Sequence, residues 1–210
     1  MATRGNAETI NSKFEIRNSK LTAAEFLRET EGLEGYLFPD TYFVSTETTA
    51  EELVRMMREN FENKIERDTI ELKGITFEDL VIIASMVERE GAAVEDKPVV
   101  AGVLFNRLLN NWPLQVDATV QYALGYQGEE DGWWKKSVTF EDLEVDSPYN
   151  TYKNPGLPPA PICNPGLASL EAAFNPAETD YWYYVSDSEG RMHFAETIEQ
   201  HNENVAKYVR

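Results

Sequence analysis

Thr76-Phe77-Glu78-Asp79-Leu80-Val81-Ile82-Ile83-Ala84-Ser85-Met86-Val87-Glu88-Arg89-Glu90-Gly91 is the stretch on which the reading of this chain turns. Its first four residues open a helix that runs through the apolar stretch to Gly91. At roughly 100° per residue, Phe77, Leu80, Val81, Ala84 and Val87 define a core-facing stripe. Ile82, Ile83 and Met86 occupy the other faces, so the helix is expected to be buried nearly all round. Glu88 falls about 35° from the centre of the stripe and Glu90 about 125° away, on the opposite side. An inward carboxylate is costly: it must be paired, hydrogen-bonded, or protonated with a raised pKa. The last state is what a glycosidic general acid needs at neutral pH. The plainer alternatives are that Glu88 pairs with Arg107 or caps a neighbouring helix.

Outward from this helix the pattern is α+β: mainly helical, with short strands and a C-terminal β-hairpin. Upstream, residues 1–30 are polar and weakly patterned, with one short helix candidate from Thr22 to Arg28. Gly35 to Val44 reads as a turn and strand. Thr49-Ala50-Glu51-Glu52 is a capping box, opening a helix with Leu53, Met57, Phe61 and Ile65 on one side; Gly74 stops the run that follows. Downstream, a helix starts near Asp96, with Lys97 and Pro98 in its first turn, and continues to about Asn110. Asp117 is expected as the N-cap of a short helix that Gly125 ends. Residues 126–137 read as an exposed loop, and Thr139 and Asp142 open one more short helix.

Residues 147–166 hold 6 of the 10 prolines. They also carry Tyr149, Tyr152, Leu157 and Ile162, which suits an ordered, wrapped loop of functional character. Asn164-Pro165 is expected to cap a helix to about Phe174. Tyr181–Ser186 and Met192–Ala195 form a hairpin, and Thr197–Tyr208 a closing helix.

Composition narrows the function. A formal net charge of -18 argues against nucleic acid or an anionic membrane surface as the main partner. Cys163 is the one cysteine, so no intrachain disulfide forms. No apolar run of 18 residues or more exists to span a membrane, and Met1–Asn11 lacks an apolar signal core. His193 and His201, the two histidines, show no His-Glu-x-x-His spacing, and no Gly-x-Ser-x-Gly is present. Neither a metal nor an organic cofactor is implied.

Several motifs, in order, carry a resemblance. Ala84-Ser-Met-Val-Glu-Arg-Glu90, Leu33-Glu-Gly-Tyr-Leu-Phe-Pro-Asp-Thr-Tyr42 and Val103-Leu-Phe-Asn-Arg-Leu108 resemble segments of the MltG (YceG-like) endolytic murein transglycosylases. So do Leu114-Gln-Val-Asp-Ala-Thr-Val120, Ser147-Pro-Tyr-Asn-Thr-Tyr152 and the following Gly156-Leu-Pro-Pro159. Asn164-Pro-Gly166 and the hairpin complete the order. The resemblance divides the chain into residues 1–32, a weakly patterned N-terminal segment left from a preceding module, and residues 33–210, a YceG-like catalytic domain. Family members carry a membrane helix and a LysM-like segment ahead of this region; neither is evident here. Val116 stands where Ser or Thr is common.

The resemblance implies that Glu88, the first acid of its motif, is the catalytic acid/base of a lytic transglycosylase. It would protonate the oxygen between MurNAc and GlcNAc, then accept the proton of the MurNAc 6-hydroxyl as that oxygen attacks C1. The product is a 1,6-anhydro end, and one carboxyl group suffices because the nucleophile belongs to the substrate. Substrate contacts are expected from Asn106, Gln115, Asp117, Thr119, Tyr149, Asn150, Thr151, Tyr152 and Glu34. Asp117 fits a plain N-cap equally well, Tyr149 and Tyr152 fit anchors of the Pro-rich loop, and Glu34 fits a turn or helix end. Arg107 beside Glu88 would lower its pKa. His193 suits a satisfied structural role. Expected partners are peptidoglycan glycan strands and the cell-wall elongation machinery, on the extracytoplasmic face of a membrane that the full-length protein spans once. The rival readings are a two-carboxylate glycoside hydrolase, pairing Glu88 with Asp117 or Glu34, and a non-catalytic peptidoglycan-binding module.

Overall fold

A computed structural model describes residues 20–65, 74–91, 93–128, 132–135 and 137–209. The expected run before Gly74 and most of residues 1–30 lie outside them. At the centre is α3, Phe77–Arg89, which Thr76 and Asp79 start with a reciprocal capping box. Every residue from Leu80 to Val87 is buried. Each large side chain so enclosed contributes about 1.5–3 kcal/mol over its exposed state.

Three helices and one loop make that enclosure. α6, Leu167–Phe174, packs most extensively on α3, and α4, Lys97–Leu109, packs on both. α5, Asp117–Leu124, touches α3 more lightly. At the N-terminal end of α3 a file of edge-on aromatics, Tyr36, Phe61, Phe77 and Phe174, connects it to α2, Ala50–Lys64. A short α1, Ala23–Glu29, capped by Thr22, lies on α2.

The Pro-rich segment is ordered without regular structure, because side chains supply the hydrogen bonds that proline denies the backbone. Ser85 Oγ accepts the Ile162 amide at 3.0 Å, and the Cys163 thiol donates to the Ser85 carbonyl at 3.3 Å. Asn164 Oδ1 accepts the amides of Gly35 (2.8 Å) and Leu37 (3.1 Å). Gly35 has a φ of 95°, and a Cβ there would stand 2.4 Å from Pro161 Cγ, so only glycine fits this crossing.

Two expectations change as a result. Gly35–Val44 is extended but forms no strand, since its amides are taken by Asn164 rather than by a neighbouring strand. Asn164 therefore does not cap α6; Gly166 is the N-cap and makes no side-chain bond. Asp117 likewise is the first residue of α5 and Val116 its N-cap. The short helix after Thr139 is a 3-10 turn, Asp142–Glu144.

The C-terminal part is a hairpin and a helix. β1, Tyr183–Ser186, pairs antiparallel with β2, Met192–Ala195, and α7, Ile198–Tyr208, packs on both. The approach to β1 is sewn along one face of α4. The Ala177 amide donates to the Pro98 carbonyl at 2.9 Å, and Asn106 Nδ2 donates to the Thr179 (2.7 Å) and Tyr181 (3.0 Å) carbonyls. Between them Gly102 leaves room, for a Cβ there would stand 2.3 Å from the Ala177 carbonyl oxygen. No helix among the described residues is long and apolar enough to cross a membrane.

Candidate active site

Glu88 and Glu90 leave the C-terminal end of α3 in different directions. Glu88 points to where the N-termini of α4 and α6 converge. Lys97 Nζ donates to its Oε2 at 3.0 Å, the Ser169 hydroxyl donates to the same oxygen, and the Gly166 amide reaches it at 3.4 Å. Lys97 also donates to Ser169 Oγ at 2.7 Å, closing a three-membered network. Burial alone would raise the Glu88 pKa, but the Ser169 hydroxyl, Lys97 and the Gly166 amide outweigh it and hold the group below the usual carboxylate range. The partner is Lys97, not Arg107.

Glu90 is the C-cap of α3, its amide donating to the Met86 carbonyl at 3.1 Å. Its side chain lines a cavity of about 390 Å³ with Arg107, Gln115, Asp117, Tyr152, Tyr183, Tyr184 and His201. Burial and the neighbouring Asp117 charge push Glu90 up to about 7, against a weaker downward pull from the Tyr184 hydroxyl and Arg107. The helical wheel placed Glu90 opposite the apolar stripe. Because Leu80–Val87 is buried all round, that opposite face meets the cavity.

The floor of the cavity is held by Arg107. This buried guanidinium donates to the Trp182 carbonyl (2.8 Å, from Nε) and the Leu114 carbonyl (2.6 Å, from Nη1), tying β1 and the α4–α5 turn together. Burial lowers its pKa, while Tyr184, Tyr183, Tyr152 and Glu90 favour its charge. Gln115, in the same turn, adopts a left-handed φ of 53°. A non-glycine residue stays there only when neighbours hold it. Here the Gln115 amide donates to the Thr151 carbonyl at 3.3 Å and the Val116 amide to Thr151 Oγ1 at 3.0 Å. Thr119 and Thr151 join hydroxyls at 2.9 Å. The turn so fixed presents Asp117, whose Oδ1 accepts the Tyr152 hydroxyl at 2.5 Å. Burial and Asp117 raise the Tyr152 pKa, so Tyr152 stays a donor.

The residues expected to touch substrate therefore divide. Gln115, Asp117 and Tyr152 line the cavity. Asn106, Thr119, Asn150 and Thr151 do not: their polar atoms are spent on the protein. Asn150, fully buried, donates to the Leu143 (2.8 Å) and Val145 (2.9 Å) carbonyls, and Asn106 holds the approach to β1. Glu34 accepts the Tyr122 hydroxyl at 2.6 Å, and Tyr149 packs on Tyr122 with centroids 4.8 Å apart, in a neighbouring cluster outside this cavity. His193 is held by Asp187 at 3.0 Å and lies on the Tyr208 ring.

Tyr184, Tyr183 and His201 are cavity residues that periodicity did not single out. Strand alternation gave no guide to them, because Tyr183 and its neighbour Tyr184 both line the cavity. His201 Nδ1 is buried without a partner, and burial and Arg107 lower the pKa of the ring.

Residues 2–207 match the model of the YceG-like family. The endolytic murein transglycosylase of Bacillus subtilis (strain 168) is 41% identical over 180 residues, covering 84% of this chain and 48% of its own length. That of Streptococcus pneumoniae (strain D39) is 40% identical over 180 residues, covering 84% of this chain and 32% of its own length. The chain thus spans about half of one relative and about a third of the other. A crystal structure of a yceG-like protein from Listeria monocytogenes aligns with a TM-score of 0.73 at 33% identity, covering 94% of this chain and 71% of that one.

Proposed function

The chain belongs to the YceG-like family, and on that premise we propose that it is the catalytic part of a lytic transglycosylase that cuts peptidoglycan glycan strands, with Glu90 rather than Glu88 moving the proton. What supports the reassignment is placement: Glu90 lines the cavity with Asp117, Tyr152 and Arg107, whereas Glu88 is tied to Ser169, Lys97 and the Gly166 amide outside it. Glu90, at about 7, keeps a proton to give near neutral pH and can take one back. Glu88 is held as a carboxylate by Ser169, Lys97 and the Gly166 amide.

In this reading Glu90 protonates the glycosidic oxygen and the C1–O bond of MurNAc breaks. The 6-hydroxyl oxygen of the same sugar bonds to C1 and its proton passes to the Glu90 carboxylate, restoring the acid without water. Asp117, fixed by Tyr152, has two effects: its charge helps keep the proton on Glu90, and it offsets the positive charge that develops at the anomeric carbon. Tyr184 orients the Glu90 carboxyl group. Action on the outer side of the cell membrane, beside the elongation machinery, follows from the same premise.

The test is digestion of purified peptidoglycan by wild type, Glu90→Gln and Glu88→Gln, with products weighed by mass spectrometry. Anhydro ends from wild type and Glu88→Gln, but not from Glu90→Gln, are expected. Loss in Glu88→Gln with retention in Glu90→Gln would return the role to Glu88. A second reading rests on Asp117: with Glu90 it forms a carboxylate pair such as hydrolases use. Reducing ends about 18 Da heavier than anhydro ends, by the water retained, would favour it. Glycan binding that no variant alters in activity would favour a non-catalytic module.

A further inference from the structure

A cavity of about 390 Å³ lies at the small end of ligand sites, and a glycan strand is a polymer. Neighbouring sugars must therefore run out over the rim. One stretch of that rim is aromatic. Tyr183, in the cavity wall, stacks on His201 with centroids 5.3 Å apart and meets the Trp112 ring edge-on at 5.7 Å. Trp112 in turn lies tilted on Trp182 at 4.9 Å and is 36% exposed.

These rings are held in place by the cavity's own framework. Asn111 takes a left-handed φ of 55°, Pro113 follows, and the Trp112 amide donates to the Arg107 carbonyl at 2.8 Å, so the turn fixes where the indole stands. The Trp182 carbonyl accepts from Arg107 Nε, and the Arg107 guanidinium lies 5.9 Å from the Trp112 ring and 5.6 Å from that of Tyr183. One buried cation thus supports the cavity floor and the rim. A second exposed aromatic pair, Tyr126 and Trp133 at 5.7 Å, lines no part of this cavity.

We infer that Trp112 and Trp182 form a saccharide-stacking subsite, where a sugar of the strand next to the one in the Glu90 cavity lays its apolar face on the exposed indole. An indole suits this occupant: it offers a broad, rigid apolar face at low entropic cost, and the equatorial hydroxyls of the sugar stay in water. The inference rests on the glycan-strand substrate proposed above.

Calorimetric titration with β-1,4-linked N-acetylglucosamine oligomers of two and six sugars tests it. Trp112→Ala is expected to weaken binding of the six-sugar oligomer about tenfold and to leave the two-sugar one within about twofold. Trp112→Phe should restore most of the loss, and Trp133→Ala should bind as wild type. Unchanged six-sugar binding in Trp112→Ala would overturn the subsite. So would equal weakening at both lengths, or a wild type that does not bind six sugars at all. Anhydro ends are assayed on the same preparations. Length-dependent binding without anhydro ends sinks the proposed reaction and leaves the subsite standing; anhydro ends with a silent Trp112→Ala do the reverse.

Discussion

The Glu88 network and the Glu90 cavity stand side by side at the end of one helix, yet they treat the same chemical group in opposite ways. Around Glu88 the protein supplies a hydroxyl, an ammonium and an amide, all donors, and no competing anion. Around Glu90 it supplies burial and a second carboxylate, with one phenol and a distracted guanidinium on the other side. Burial pushes both acids up; what separates them is the number of donors set against it and the sign of the nearest charge. The first arrangement joins three helices. The second leaves a proton available.

The largest expected effect tests the second region. Glu90→Gln, nearly isosteric, should cut the rate of anhydro-end formation about 10³-fold while the melting temperature changes little. The next tests the first region in the opposite sense. Glu88→Gln leaves Lys97 with a poorer partner and should cost about 1–2 kcal/mol, since solvent reaching Glu88 limits the loss. That is a fall of about 2–8 °C in Tm for a chain of this size, with activity per folded molecule within about tenfold. The sign with pH follows from the depressed pKa. The Glu88 contribution is present above its unfolded value of 4.5 and fades as pH falls through the folded one, so wild type and variant should converge in stability in acid.

Smaller effects read the cavity's electrostatics. The alkaline limb of kcat/KM should lie near pH 7, because Glu90 must hold its proton. Asp117→Asn removes the charge that raises Glu90 and should shift that limb by about one unit towards acid. Tyr184→Phe removes a donor to the carboxylate and should shift it by about half a unit the other way. A limb that ignores both substitutions would show that the acid lies elsewhere.

Local signals explain why much of the fold could be read in advance. The capping boxes at Thr49 and Thr76, Pro98 in a first turn, Gly125 after a last one and the hairpin spacing all act within a few residues, and all mark real ends. The motifs that bring Asp117 and Tyr152 to the cavity were visible too. Direction was less legible. A helical wheel sets Glu88 on the inward side of α3 and Glu90 opposite it, but does not show that the opposite side meets a cavity. Asn106, Asn150, Thr119 and Thr151 show the same limit, lying outside the cavity with protein partners. A polar side chain beside such a motif serves the backbone as readily as a substrate, and only its partners, 3 to 75 residues away, reveal which.

The cavity joins Glu90 to Tyr184 and His201 across the greater part of the chain. Its wall is the hairpin and α7. Contacts of such separation form late, because the intervening chain must lose its freedom first. The proton-holding environment of Glu90 is thus complete only once the hairpin and α7 are docked. On the proposed reading, the chain would hold no competent acid until α7 had closed the cavity.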